Sequence, residues 1–106
     1  MKTVFHLAEP TFWEAATVTG MYRVPSLDAE GFIHLSTRDQ YVSTANRYYR
    51  GRTDLLLLEV DEGALDDLRY ERSTNDELFP HLYGALPVHA VVGVRPLLPG
   101  ADGTFS

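Results

Sequence analysis

Residues 31–40 read GFIHLSTRDQ, Gly31 to Gln40. Phe32, His34 and Ser36 alternate with Ile33 and Leu35, the period-two pattern of a strand with two unlike faces. Thr37 and Gln40 follow with the T-x-x-Q spacing of a capping box, which predicts a helix from about Arg38. A strand that runs straight into a helix sets His34 just before a helix N-terminus, where unpaired backbone N–H groups and the helix dipole favour an anion. The same spacing describes an ordinary strand-to-helix corner in which Ser36 and Thr37 are only caps. The rest of the chain has to decide.

Upstream, Thr3 to Leu7 alternates as a first strand, with His6 on the face of Val4. Thr11 and Glu14 have capping-box spacing and open a short helix that Gly20 ends. Met21–Glu30 carries Pro25 just before Ser26, Leu27 and Asp28, and Gly31 follows, so it reads mostly as loop, with Tyr22–Val24 a possible edge strand. Downstream, Tyr41, Val42, Ala45, Tyr48 and Tyr49 form an apolar stripe on a helix from about Arg38 to Arg50 that Gly51 closes. Leu55 to Leu58 is an unbroken apolar run between Gly51 and Asp61, as in a strand covered on both faces at the centre of a sheet. Gly63–Leu68 reads as a helical turn or two, and Tyr70–Arg72 as a returning strand. Thr74 to Pro87 has no period and reads as a long loop with apolar residues that must pack against something. Val88–Val94 reads as a last strand closed by Pro96, and 99–106 as a frayed tail. The whole is one domain, 1–106 with an ordered core of about 3–97, in the α+β or mixed α/β class.

With 44% hydrophobic and 23% charged residues the chain has an ordinary globular composition, which argues against wholesale disorder. No apolar run reaches eighteen residues and no charged-then-apolar leader follows Met1, so neither a membrane span nor a signal peptide is expected, and the expected location is the cytoplasm. The absence of cysteine excludes disulfides, thiolate catalysis and cysteine–metal sites. A net charge of −6 argues against an extended nucleic-acid surface. Locally the balance reverses: Arg38, Arg47, Arg50 and Arg52 face only Asp39 between Thr37 and Arg52. That basic helix begins at the Gly31–Gln40 corner and suits a small phosphorylated ligand, or is a solvated face.

Of four histidines, His6, His34 and His81 are able to converge on one cleft if their strands are neighbours. With Glu71 they would suit a metal-dependent enzyme, but no H-E-x-x-H or H-x-H spacing occurs, and no metal is expected. His89 reads as an outward structural residue. No G-x-S-x-G elbow or glycine-rich phosphate loop is present. Glu71 is the carboxylate best placed for catalysis, with an ion pair to Arg69 or Arg72 as the plain alternative. Phe79-Pro80-His81-Leu82-Tyr83-Gly84 suggests a pocket wall with rings for a planar ligand, or a stiffened plug at one end of the core.

VFHLA, GFIHLST, DLLLLEVD, the Tyr70-Glu71 pair and FPHLYGALPVHAVVGV together resemble the bacterial domain-of-unknown-function family 952, over Thr3 to about Leu97. The family is grouped by similarity with the ADP-ribosyltransferase-like superfamily. That resemblance implies a mixed, split β-sheet with flanking short helices and a cleft for NAD or a related phosphorylated nucleotide. By the same resemblance His6 binds the adenosine-side ribose. His34-Leu35-Ser36-Thr37 is similar to a second motif, also found in RNA 2′-phosphotransferases, and Glu71 or His81 stands at the catalytic third position. Arg38 and the helix after Thr37 would face a phosphate, and Phe79 or Tyr83 would stack on nicotinamide. The superfamily's E-x-E or Q-x-E loop is absent, which keeps a non-catalytic ligand-binding or protein-interaction module as the alternative.

Overall fold

A computed structural model describes residues 1–73 and 75–106. The strands are β1 (Thr3–Ala8), β2 (Met21–Tyr22), β3 (Ile33–His34), β4 (Leu56–Asp61), β5 (Leu68–Arg72), β6 (Leu78–Leu82), β7 (Leu86–Pro87) and β8 (Val91–Pro96). The helices are α1 (Pro10–Thr19), α2 (Pro25–Glu30) and α3 (Tyr41–Tyr48), with 3-10 turns at Glu62–Ala64 and Val88–Ala90. They form a small α+β domain with three antiparallel sheets, ordered β1-β4-β8, β2-β7 and β3-β6-β5. The sheet is therefore split as expected, but not mixed: every ladder among the described residues is antiparallel. Among those residues no helix is long and apolar enough to cross a membrane.

The leucine run lies at the centre of the first sheet. Leu58 and Val60 join Val4, Ile33, Leu82 and Leu86 in one core, while Leu55 and Leu57 join Phe5, Leu7, Ala45, Leu97 and Phe105 in the other. Alternation along β4 thus feeds two cores on opposite faces of one sheet, which is why the run has no polar gaps.

Several expectations shift for local reasons. α1 begins one residue before Thr11, because Pro10 occupies its first turn and Glu9 is the N-cap. α2 replaces an expected loop. Pro25 starts it and Gly31, at φ 89°, ends it, so both residues mark helix ends where they read as loop punctuation. α3 is shorter than expected, and Tyr48 on its stripe is 68% exposed.

The largest change is β6, the centre of the third sheet, where the sequence reads as a loop. Thr74, the first residue of that stretch, lies outside the described residues. Proline in a central strand argues against the assignment by sequence alone, and the register shows how Pro80 is tolerated. Ile33 pairs with Leu82 and His34 with His81, so Leu35 would oppose Pro80. Leu35 N–H donates to the Pro80 carbonyl at 3.0 Å, and the return bond, which Pro80 has no N–H to make, is where the β3 ladder stops. The chain then changes partner: Ser36 and Phe5 exchange both backbone hydrogen bonds at 2.7 Å. Ile33–Ser36 thereby joins the first and third sheets.

The tail does not fray. Phe105 is 3% exposed in the second core. Its N–H donates to Asn46 Oδ1 at 2.6 Å, and Asn46 Nδ2 donates to its carbonyl at 3.0 Å. Phe105→Ala is expected to lower unfolding free energy by about 3–5 kcal/mol, read from urea denaturation. A loss below about 1 kcal/mol would show the tail is not part of the core.

Candidate functional site

Because β3 and β6 pair, His34 and His81 lie directly across from each other. The neighbouring Leu35–Pro80 position carries the hydrogen bond, so theirs is the close, non-hydrogen-bonded kind of antiparallel pair. Their ring centroids are 5.5 Å apart and nearly perpendicular, and Phe32 stacks on His81 at 4.0 Å. Both histidines line a cleft of about 670 Å³. One wall is the β3–β6 pair, with Phe79. A second is α3 and the turn before it, with Gln40, Thr44 and Arg47. The third is the β5–β6 turn, with Arg72 and Glu77.

Each of the two histidines is held by a carboxylate. His81 Nδ1–H donates to Glu71 Oε1 at 2.9 Å, and the Tyr83 hydroxyl donates to the same oxygen at 2.5 Å. The hydrogen bonds from Tyr83 and His81 hold the Glu71 carboxyl below the usual carboxylate range and keep it ionised. His34 Nε2–H donates to Glu30 Oε2 at 2.8 Å. In both rings one nitrogen is committed to a carboxylate and the other is left for chemistry.

His6 has a different part. It lines the cleft but is 8% exposed, its Nδ1–H donates to the His34 carbonyl at 2.7 Å, and the Tyr22 hydroxyl donates to its Nε2 at 2.8 Å. Both nitrogens are thus engaged inside the protein, and burial lowers the ring's pKa to about 4. It is a neutral strut under the β3 backbone.

The other expected site residues divide. Ser36 and Phe79 line the cleft. Thr37 accepts the turn that leads into α3, and only the glutamine half of its capping box forms, with Thr37 N–H donating to Gln40 Oε1 at 3.0 Å. Arg38 is not at the cleft: its guanidinium lies over the Phe5 ring at 4.9 Å and 3.6 Å from Glu59. Tyr83 and Glu71 stand behind His81 instead of lining the cleft, with Arg69 over the Tyr83 ring at 4.1 Å.

Sequence reading missed Glu30, Gln40, Arg47, Arg72 and Glu77 as lining residues. Glu30 was signalled by its four-residue spacing from His34, and Arg47 by the basic helix. Gln40 reads only as a cap, yet its Nε2 also donates to Glu77 Oε2 at 3.0 Å and to the Leu78 carbonyl at 2.7 Å. Among the described residues no group of three or more His, Cys, Asp or Glu is arranged to hold a metal ion.

A family model described as "Protein of unknown function (DUF952)" matches residues 7–94. The chain belongs to the DUF952 family. The crystal structure of CC0527 from Caulobacter crescentus is 34% identical over 99% of this chain and 94% of that one, with a TM-score of 0.90. The solution NMR structure of the same protein is 35% identical over 100% and 93%, with a TM-score of 0.86. No curated protein matches this DUF952 chain.

A neutral buried His6 has a consequence for stability. Its folded pKa lies below the ordinary histidine value of 6.5, so between about pH 6.5 and pH 4 the unfolded state binds the proton that the folded state refuses. Unfolding free energy is expected to fall as pH drops through that window, by up to about 3 kcal/mol, and to be unaffected by this group above it. An NMR titration is expected to find the His6 ring neutral at pH 5.5; a protonated ring there would contradict the assignment.

Proposed function

We propose that this domain binds a small phosphorylated nucleotide, NAD or a close relative, in the cleft between the β3–β6 pair, α3 and the β5–β6 turn. The carrying observation is the composition of that cleft. It combines two carboxylate-held histidines, two arginines (Arg47 and Arg72) for phosphate oxygens, and the rings of Phe79, Tyr48 and Tyr49 for a planar group. Guanidinium groups recognise phosphate through charge-assisted, paired hydrogen bonds. A volume of about 670 Å³ is in the range that encloses small ligands.

The catalytic form of this proposal is ADP-ribosyltransferase-like. Nicotinamide leaves the ribose through an oxocarbenium-like state, which a nearby carboxylate or proton-moving group stabilises. His81, with Glu71 as its positioning carboxylate, is the residue in the third catalytic position. A second reading retains the ligand and drops the transfer. It is favoured by His6 and Arg38, assigned to ribose and phosphate by resemblance, which are both engaged within the protein.

Isothermal calorimetry with NAD, ADP-ribose and nucleoside phosphates tests the binding. Saturable binding is expected, weakened about tenfold or more in Arg47→Ala, as loss of a charge-assisted phosphate contact implies. No heat of binding at millimolar ligand would overturn the proposal. Nicotinamide release separates the two readings: release that His81→Ala abolishes supports transfer, and its absence with binding intact supports the binding module.

A further inference from the structure

We propose that His34 and His81 are a proton-acceptor and proton-donor pair that hydrolyses a phosphodiester of a ribonucleotide, a 2′,3′-cyclic phosphate being the simplest such substrate. The inference rests on nucleotide binding in the cleft and assigns a reaction to the same site that is distinct from nicotinamide release.

Three observations lead to it. First, the two imidazoles belong to facing residues of adjacent strands and lie 5.5 Å apart, close enough to flank one phosphoryl group. Secondly, each ring has one nitrogen fixed by a carboxylate, His34 by Glu30 and His81 by Glu71. Among the described residues that leaves His34 Nδ1 and His81 Nε2 as the ring atoms without a hydrogen-bond partner, basic when the ring is neutral and acidic when it is charged. Thirdly, Arg47 lines the same cleft, as does Arg72, whose Nη1 donates to the Asp76 carbonyl and Oδ1 at 3.0 Å, and guanidinium groups supply positive charge for non-bridging phosphoryl oxygens.

Histidines suit this chemistry better than carboxylates in the same places. A carboxylate beside a phosphoryl group repels the charge building on its oxygens, whereas an imidazole is neutral or cationic. Here Glu30 and Glu71 bond to the histidines from positions one group further from the reacting atom, and Glu77, which also lines the cleft, accepts from Gln40 Nε2 at 3.0 Å.

In the balanced step a water oxygen forms a bond to phosphorus while one imidazole removes a proton from that water. The phosphorus bond to the ribose 2′ or 3′ oxygen breaks, and the imidazolium of the other histidine protonates that leaving oxygen. The product is a ribonucleotide monoester. One histidine has gained a proton and the other has lost one, and exchange with solvent resets the pair. Glu30 and Glu71 are positioning residues.

The test incubates the protein with adenosine 2′,3′-cyclic phosphate and follows the ³¹P signal from cyclic diester to monoester. Calorimetry with adenosine monophosphate serves as the binding control. Turnover with a bell-shaped pH profile is expected, because one ring must start neutral and the other protonated. His34→Ala and His81→Ala should each lower kcat by about 10²–10⁴-fold, a larger loss than either causes in monophosphate affinity. Glu71→Gln should displace one limb of the profile, which a purely structural role would not do. His34 is more than half exposed, so its variants keep the fold even if His81→Ala does not. Monophosphate binding without turnover, or turnover unchanged in His34→Ala, overturns the inference and leaves nucleotide binding standing. No monophosphate binding at millimolar concentration overturns both.

Discussion

The structure depends on how four residues, Ile33 to Ser36, change partners. Ile33 and His34 pair with β6, Leu35 gives its N–H to the Pro80 carbonyl, and Ser36 exchanges two backbone hydrogen bonds with Phe5 on β1. A three-stranded sheet that ended at Pro80 would leave the rest of β3 with unpaired backbone groups, and buried groups of that kind are seldom left unpaired. Phe5 accepts that role. His6, one residue on, accepts another by bonding the His34 carbonyl that faces away from β6. Two sheets are thereby joined, and the cleft is the space between the third sheet and the α3 that the same segment leads into.

That arrangement explains why neighbouring histidines in one cleft have opposite characters. His6 sits on the core face of β1, where burial and two engaged nitrogens keep it neutral. His34, exposed, and His81, buried, occupy the cleft face of the β3–β6 pair, where each finds a carboxylate and keeps one nitrogen unbonded to it. The difference follows from strand alternation: a one-residue slip of β3 against β6 would break the His34–His81 pairing.

Much of this was legible in the sequence. Leu55 to Leu58 announced a doubly covered central strand because both faces of β4 are apolar, and the alternation of Phe32 to Ser36 announced β3. Convergence of His6, His34 and His81 was legible as a possibility. What was hidden depended on distant partners. Pro80 reads as a breaker because sequence does not show that β3 stops opposite it. Pro25 and Gly31 read as loop because a six-residue helix has too few positions for a period. Phe105 reads as a frayed end because its partner, Asn46, is 59 residues away. Arg38 reads as a phosphate ligand because its neighbour Thr37 begins a turn, yet its guanidinium lies over the Phe5 ring and beside Glu59.

The central claim is that the joined sheets form one ligand site with His34 and His81 at its base. The most direct measurement is chemical-shift mapping by ¹H–¹⁵N NMR during titration with ADP-ribose. The expected footprint is contiguous and drawn from three parts of the chain: His34 and Ser36, Thr44 and Arg47, and Ser73 and His81. Shifts that are absent at saturating ligand, or that centre on Arg38 and Phe5 on the opposite face, would contradict it.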